Sequence, residues 1–169
     1  MLYFWRLCLL RETPERIPSS IGIAIGASGI YWVVGMLSFG LSRTGLSLTT
    51  VAGVSLLSLV IEGAALYALL AFKRYQNRYY SAVTAIFFCN AILLTLLLPV
   101  NLILMDMNEG LLLDIINTLS LICLFWWLAI VGFILQKSAG ISIVQGVVLA
   151  FVIELLVAVS IRSLFSEFA

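Results

Sequence analysis

The stretch SLLSLVIEGAALYALLAF, Ser55 to Phe72, decides the fold. As a helix rising 1.5 Å per residue it reaches about 27 Å, close to the ~30 Å hydrocarbon thickness of a bilayer. One residue resists that reading: Glu62, near the middle. A charged side chain at mid-membrane costs roughly 2.5 to 3.5 kcal/mol on insertion scales. Each Leu, Ile, Val or Phe returns about 0.3 to 0.6 kcal/mol. The surrounding residues therefore carry the acid into the membrane, where an ionisable group is a functional candidate by default.

The rest of the chain agrees with that stretch. Of 169 residues, 63% are hydrophobic and 10% charged, and mean hydropathy is +1.20, whereas soluble domains carry roughly 25% charged residues. The sequence is that of an integral membrane protein whose first partner is the lipid bilayer. Net charge is +1 and the basic residues are scattered over several loops, leaving no basic face for nucleic acid. Cys8, Cys89 and Cys123 are odd in number and lack CxxC spacing, so they read as reduced, packed thiols and not as a disulfide or metal site.

Five apolar runs follow one another: Ser19 to Leu41, Leu48 to Phe72, Ser81 to Met105, Leu111 to Leu135 and Ala139 to Phe165. The turns SRTGLS, KRYQNRYY, DMNEG and QKSAG are short, so consecutive spans are antiparallel neighbours. The expected fold is all-α: a five-helix transmembrane domain over residues 19–169, preceded by an interfacial amphipathic segment over residues 1–18. A β-barrel is excluded, since no segment alternates over the roughly ten residues a barrel strand needs. With a cytoplasmic N-terminus, Arg6, Arg11, Arg16, Lys73, Arg74, Arg78 and Lys137 fall inside, and Arg43 and Arg162 outside. The positive-inside rule selects that orientation, with the C-terminus periplasmic or lumenal.

The opening MLYFWRLCLLRETPERIP is too short to span and lacks a small-residue cleavage site, which argues against a signal peptide. It reads as a helix lying at the interface, with Tyr3, Phe4 and Trp5 at headgroup level. Thr13 is then an N-cap, with Pro14 at the first helical position. Pro99 is expected to kink or end the third span. Trp126 and Trp127 read as bundle packing.

Polar residues within the spans carry the functional question. Ser55, Ser58, Glu62 and Ala65 share one helix face. In the last run Ser142, Gly146, Ala150, Glu154, Ala158 and Arg162 recur every four residues, a small-residue seam that lets helices approach closely. Gly22 and Gly26 give a GxxxG pair, serving either packing inside the bundle or homodimerisation. Two readings of the acids compete. In one, each glutamate is protonated and donates a hydrogen bond across a helix interface to Ser, Asn or a backbone carbonyl. In the other, Glu62 and Glu154 face a common polar cavity with Asn90, Asn117 and Gln145, and exchange protons or bind a cation.

Catalysis is not expected. There is no histidine, no GxSxG, HExxH or phosphate-binding loop, and Asp114 is the lone aspartate within a span. No cofactor or metal is implied. An N-terminal segment ending at Pro18, five closely spaced spans, the turn FKRYQNRYYSAVTAIF and a proline late in the third span, Pro99, resemble the Yip-domain family. That resemblance implies a membrane adaptor or accessory protein, working with another membrane protein or with a second copy of itself. The chain lacks the long cytoplasmic N-terminal domain of the eukaryotic trafficking members, so the resemblance points to a bacterial inner-membrane protein. Lys73, Arg74 and Arg78 would then meet anionic headgroups or a partner. The alternative is a small proton- or cation-coupled carrier using Glu62 and Glu154.

Overall fold

The computed structural model describes residues 2–42, 46–105 and 111–165. Expectations about Arg43, about the DMNEG turn and about the C-terminus lie outside that range. The described chain is all-α: α1 (Leu2–Cys8), α2 (Ile21–Ser42), α3 (Leu48–Phe72), α4 (Tyr79–Met105), α5 (Leu111–Ala139) and α6 (Ile143–Leu164). Among the described residues, five helices, α2 to α6, are long and apolar enough to cross a membrane.

Local chemistry sets the helix boundaries. Ser47 caps α3 by accepting the Thr50 N–H at 3.1 Å. α6 opens with a capping box, Ser142 and Gln145 each accepting the other's backbone N–H. The sequence QKSAG reads as a turn, but α5 continues through Ala139 because nothing in Gln136, Lys137 or Ser138 breaks a helix. The break comes at Gly140, whose φ of +65° suits a glycine that ends a helix. Pro99 lies inside α4, which runs on to Met105, so the proline does not end that span.

The spans close into a ring in which α2 touches α3, α3 touches α6, α6 touches α5, α5 touches α4, and α4 returns to α2. The most extensive contact is between α2 and α4. Small side chains permit it: Ala24 and Ala27 of α2 are buried, as are Ser81, Ala82 and Ala85 on α4. Gly22 and Gly26 take no part, because a methyl group on Gly26 would meet nothing within 4 Å. The small residues that α2 buries in the bundle are thus Ala24, Ala27, Gly35 and Ser38, not the GxxxG pair.

Residues 2–17 fold onto the bundle instead of resting only on its edge. Phe4 stacks on Phe88 at 4.2 Å, the Trp126 indole donates to the Cys8 carbonyl at 3.0 Å, and the Tyr3 hydroxyl donates to the Thr13 carbonyl. Leu7, Cys8, Pro14 and Ile17 are buried, whereas Trp5 is exposed. Thr13 occupies the predicted cap position before the short 3-10 turn Pro14–Arg16, but its side chain makes no capping bond. Phe88 lies nine residues into α4, about 14 Å along its axis, so α1 packs well below that end of the bundle.

The seam on α6 divides in two. Gly146 and Ala150 are buried, and Gly146 crosses Gly132 of α5 so closely that a Cβ there would collide with the Gly132 carbonyl. A Cβ on Gly132 would lie 2.9 Å from the Val147 backbone nitrogen. Gly146→Ala is expected to cost about 1 to 3 kcal/mol by overpacking, read as a lower unfolding midpoint in detergent, with Gly26→Ala as the neutral control. An unchanged midpoint in Gly146→Ala would contradict the close α5–α6 crossing.

Candidate functional site

Each of the five spans contributes one side chain to a single layer: Tyr31 from α2, Glu62 from α3, Asn90 from α4, Trp127 from α5 and Glu154 from α6. Tyr31 lies ten residues after Ile21, Glu62 ten before Phe72, Asn90 eleven after Tyr79, Trp127 twelve before Ala139 and Glu154 eleven after Ile143. At 1.5 Å per residue this places all five about 15 to 18 Å from the same end of the bundle, half the depth of a ~30 Å hydrocarbon core.

Four of the five form a directed chain of hydrogen bonds. The Trp127 indole Nε1 donates to Asn90 Oδ1 at 2.8 Å. An indole nitrogen can only donate, so Asn90 must offer its carbonyl there and its amide on the other side. That amide, Nδ2, donates to Glu62 Oε2 at 3.0 Å. The Tyr31 hydroxyl donates to Glu62 Oε1 at 2.6 Å. Glu62 therefore receives its bond from Asn90, the reverse of the donation expected from the sequence, and the reason lies one helix further on, in Trp127. Tyr31 also stacks on Phe87 of α4 at 5.1 Å between centroids, which fixes the phenol that faces Glu62.

Glu154 is different, for its carboxylate makes no hydrogen bond to any described residue. It lines the same cavities as Glu62. One, of about 290 Å³, has Tyr31, Glu62, Asn90, Trp127 and Glu154 on its wall and extends past Leu94, Leu97 and Cys123. A second, of about 190 Å³, runs along Gly35, Ser55, Ser58, Glu62, Glu154 and Ala158. Both lead from the layer toward the end of the bundle that carries the α2–α3 and α4–α5 connections. Toward the opposite end the space shrinks to about 20 Å³, closed by the buried Leu66, Ile86, Phe87, Val131 and Leu135. The site is thus roomy on one side of the carboxylates and sealed by apolar side chains on the other.

Of the polar residues singled out in the sequence, Glu62, Glu154 and Asn90 come together; Asn117 and Gln145 do not. Asn117 is exposed on α5, ten residues from Trp127, and the side chain of Gln145 is used in the capping box of α6. The seam residues part company: Ser142 is a cap, Gly146 and Ala150 pack inward, and Ala158 lines the second cavity. The Ser55 and Ser58 hydroxyls donate to the Val51 and Val54 carbonyls of their own helix. At the basic turn, Lys73 and Arg74 are exposed. Arg78 instead pairs with Glu15 at 2.9 Å and donates to the Lys137 carbonyl at 3.0 Å, joining residues 14–16 to α4 and α5. Among the described residues no group of three or more His, Cys, Asp or Glu could hold a metal ion.

Two members of the layer, Tyr31 and Trp127, are neither acids nor amides and do not stand out as polar residues in an apolar run. Tyr31 is the one tyrosine within the first span, away from the membrane interfaces where tyrosine concentrates, and that displacement is its signal. Trp127, readable as packing, acts as a donor. Comparison with known proteins gives no match: no family model, curated protein or solved structure is significantly similar to this chain.

Asn90→Ala removes the partner of the Trp127 N–H and of one Glu62 oxygen, and losing hydrogen bonds of this kind, one of them to a charged group, costs about 1 to 3 kcal/mol. A clear fall in the unfolding midpoint in detergent, followed by tryptophan emission, is the expected outcome. Asn117→Ala should stay within about 0.5 kcal/mol of the parent, as surface substitutions do. Equal behaviour of the two variants would contradict the chain through Asn90.

Proposed function

We propose that this protein is a small membrane carrier that couples solute movement to protonation of Glu62 and Glu154. The observation that carries this reading is the one-sided cavity at the mid-depth layer, where two carboxylates from α3 and α6 face the same space. A carrier needs a binding site near the membrane midplane, with one side accessible while the other is closed. The apolar closure around Leu66, Phe87 and Leu135 is consistent with the closed side. In this reading the N-terminus is cytoplasmic, the cavity faces the periplasm, and the membrane is the bacterial inner membrane. The mechanism assigns the acids different tasks. Glu62 is held in place by Tyr31 and Asn90, and Glu154, without such partners, accepts the proton or the cation.

An adaptor role of the Yip-domain type is the second reading, favoured by Phe72, 83% exposed, beside the exposed Lys73 and Arg74 at the basic turn. Infrared spectroscopy of the protein in lipid separates the two. Carboxyl C=O bands that titrate across roughly pH 4 to 10, one lost in Glu62→Gln and another in Glu154→Gln, are expected of the carrier. If neither variant removes a titrating band, the carrier reading falls and the adaptor remains.

A further inference from the structure

We propose that the cavity between Glu62 and Glu154 takes an organic cation with an apolar body, of the ammonium class, in exchange for a proton. This rests on the carrier reading and names its substrate class.

The wall of the larger cavity combines three chemistries. Two carboxylates supply negative charge, Tyr31 and Trp127 bring aromatic rings, and Leu93, Leu94, Leu97 and Leu124 make much of the remainder apolar. No Lys or Arg lines this cavity, the second cavity or the narrow closed space, among the described residues. The titratable groups facing the space are Tyr31 on α2, Glu62 on α3, Cys123 on α5 and Glu154 on α6, while α4 contributes Asn90. Every charge available to meet a ligand is therefore negative.

The donor set decides what kind of cation fits. Calcium takes six to eight oxygen ligands, and magnesium a near-octahedral shell with several retained waters. Here the oxygens of Glu62 are already engaged by Tyr31 and Asn90, and most of the surrounding wall is hydrocarbon. An ammonium needs less: a carboxylate as counter-charge and aromatic faces, which attract cations through their quadrupole. Its apolar substituents pack on the leucines. The cavity, about 290 Å³, is near the lower bound of pockets that hold small organic molecules, about 300 Å³.

Glu154 supplies the exchange. Exposed to the cavity and without a hydrogen-bond partner among the described residues, it is the carboxylate free to hold a proton or a bound cation in turn. Entry of the cation displaces the proton from the carboxyl oxygen to water, so charge within the site is conserved.

The probe is benzyltrimethylammonium, a fixed cation on an aromatic ring that has no ammonium proton to give. Binding to the purified protein in lipid nanodiscs is measured by calorimetry, and proton release is followed in weakly buffered solution. Saturable binding with release of about one proton per cation is expected, as linkage requires of a site whose occupants exclude each other. Affinity should fall at least tenfold in Glu154→Gln and recover in part in Glu154→Asp, which keeps the charge and controls for folding. Binding unchanged in both variants would overturn the proposal, because it reports partition into lipid. Proton release on adding sodium or calcium, without binding of the organic probe, would overturn it in favour of an inorganic ion. Absence of binding alongside titrating carboxyl bands would overturn the substrate class and leave the proton-coupled reading standing; bands that do not titrate remove that reading itself.

Discussion

The carboxylate of Glu62, held between the Tyr31 hydroxyl and the Asn90 amide at half the depth of the bundle, constrains everything around it. A polar group far from water must find partners within the protein. One acid on α3 therefore recruits a phenol from α2 and an amide from α4, and that amide recruits an indole from α5. The bond from Trp127 sets the orientation of Asn90, so the direction of the whole chain depends on a side chain that never touches Glu62. Such a network locks the relative rotation of four helices more narrowly than leucine packing alone, because each bond needs a particular atom at a particular place.

The fifth helix joins on other terms. α6 approaches α5 through Gly132 and Gly146, where backbone meets backbone, and this close crossing belongs to the sealed half of the bundle. Glu154 lies two helical turns beyond Gly146, where the helices enclose the cavities instead of each other. One four-residue stripe thus does two things: its first half closes a seam and its second half lines a space. Glu154, at the transition, is the acid left without a partner. Tight packing on one side and room on the other place two carboxylates at the boundary between a hydrocarbon seal and a cavity.

The architecture was legible because hydrophobic length and turn shortness are local properties. Leu48–Phe72 carries the same bounds in sequence and structure, and the other spans differ by a few residues at their ends. The largest of these differences, at QKSAG, arose because a helix can carry Gln and Lys in its last turn and stops only where Gly140 adopts a positive φ. The site was legible in part. Glu62, Asn90 and Glu154 announced themselves as polar residues in apolar runs, but Asn117 and Gln145 looked the same. What separates them is helix rotation and depth, which follow from packing across the ring. Measured from the end of the bundle at the basic turn, the true members all sit ten to twelve residues in, and Asn117 and Gln145 do not. Tyr31 and Trp127 were hidden for a different reason: their rings suit a packing role, and only a partner on another helix turns a phenol or an indole into a hydrogen-bond donor.

The central claim, that α6 turns one face to the cavity lined by Glu62 and Glu154 and the other to lipid, is tested most directly by cysteine accessibility. In a background with Cys8, Cys89 and Cys123 replaced, single cysteines would be placed along α6 and challenged in membranes with a water-soluble thiol reagent. Glu154→Cys, Ala158→Cys and Ile161→Cys, all on the cavity wall, are expected to react. Leu155→Cys and Val159→Cys, exposed on the bundle surface away from the cavity, should be protected by lipid. Equal protection of both sets would contradict a hydrated site at Glu154.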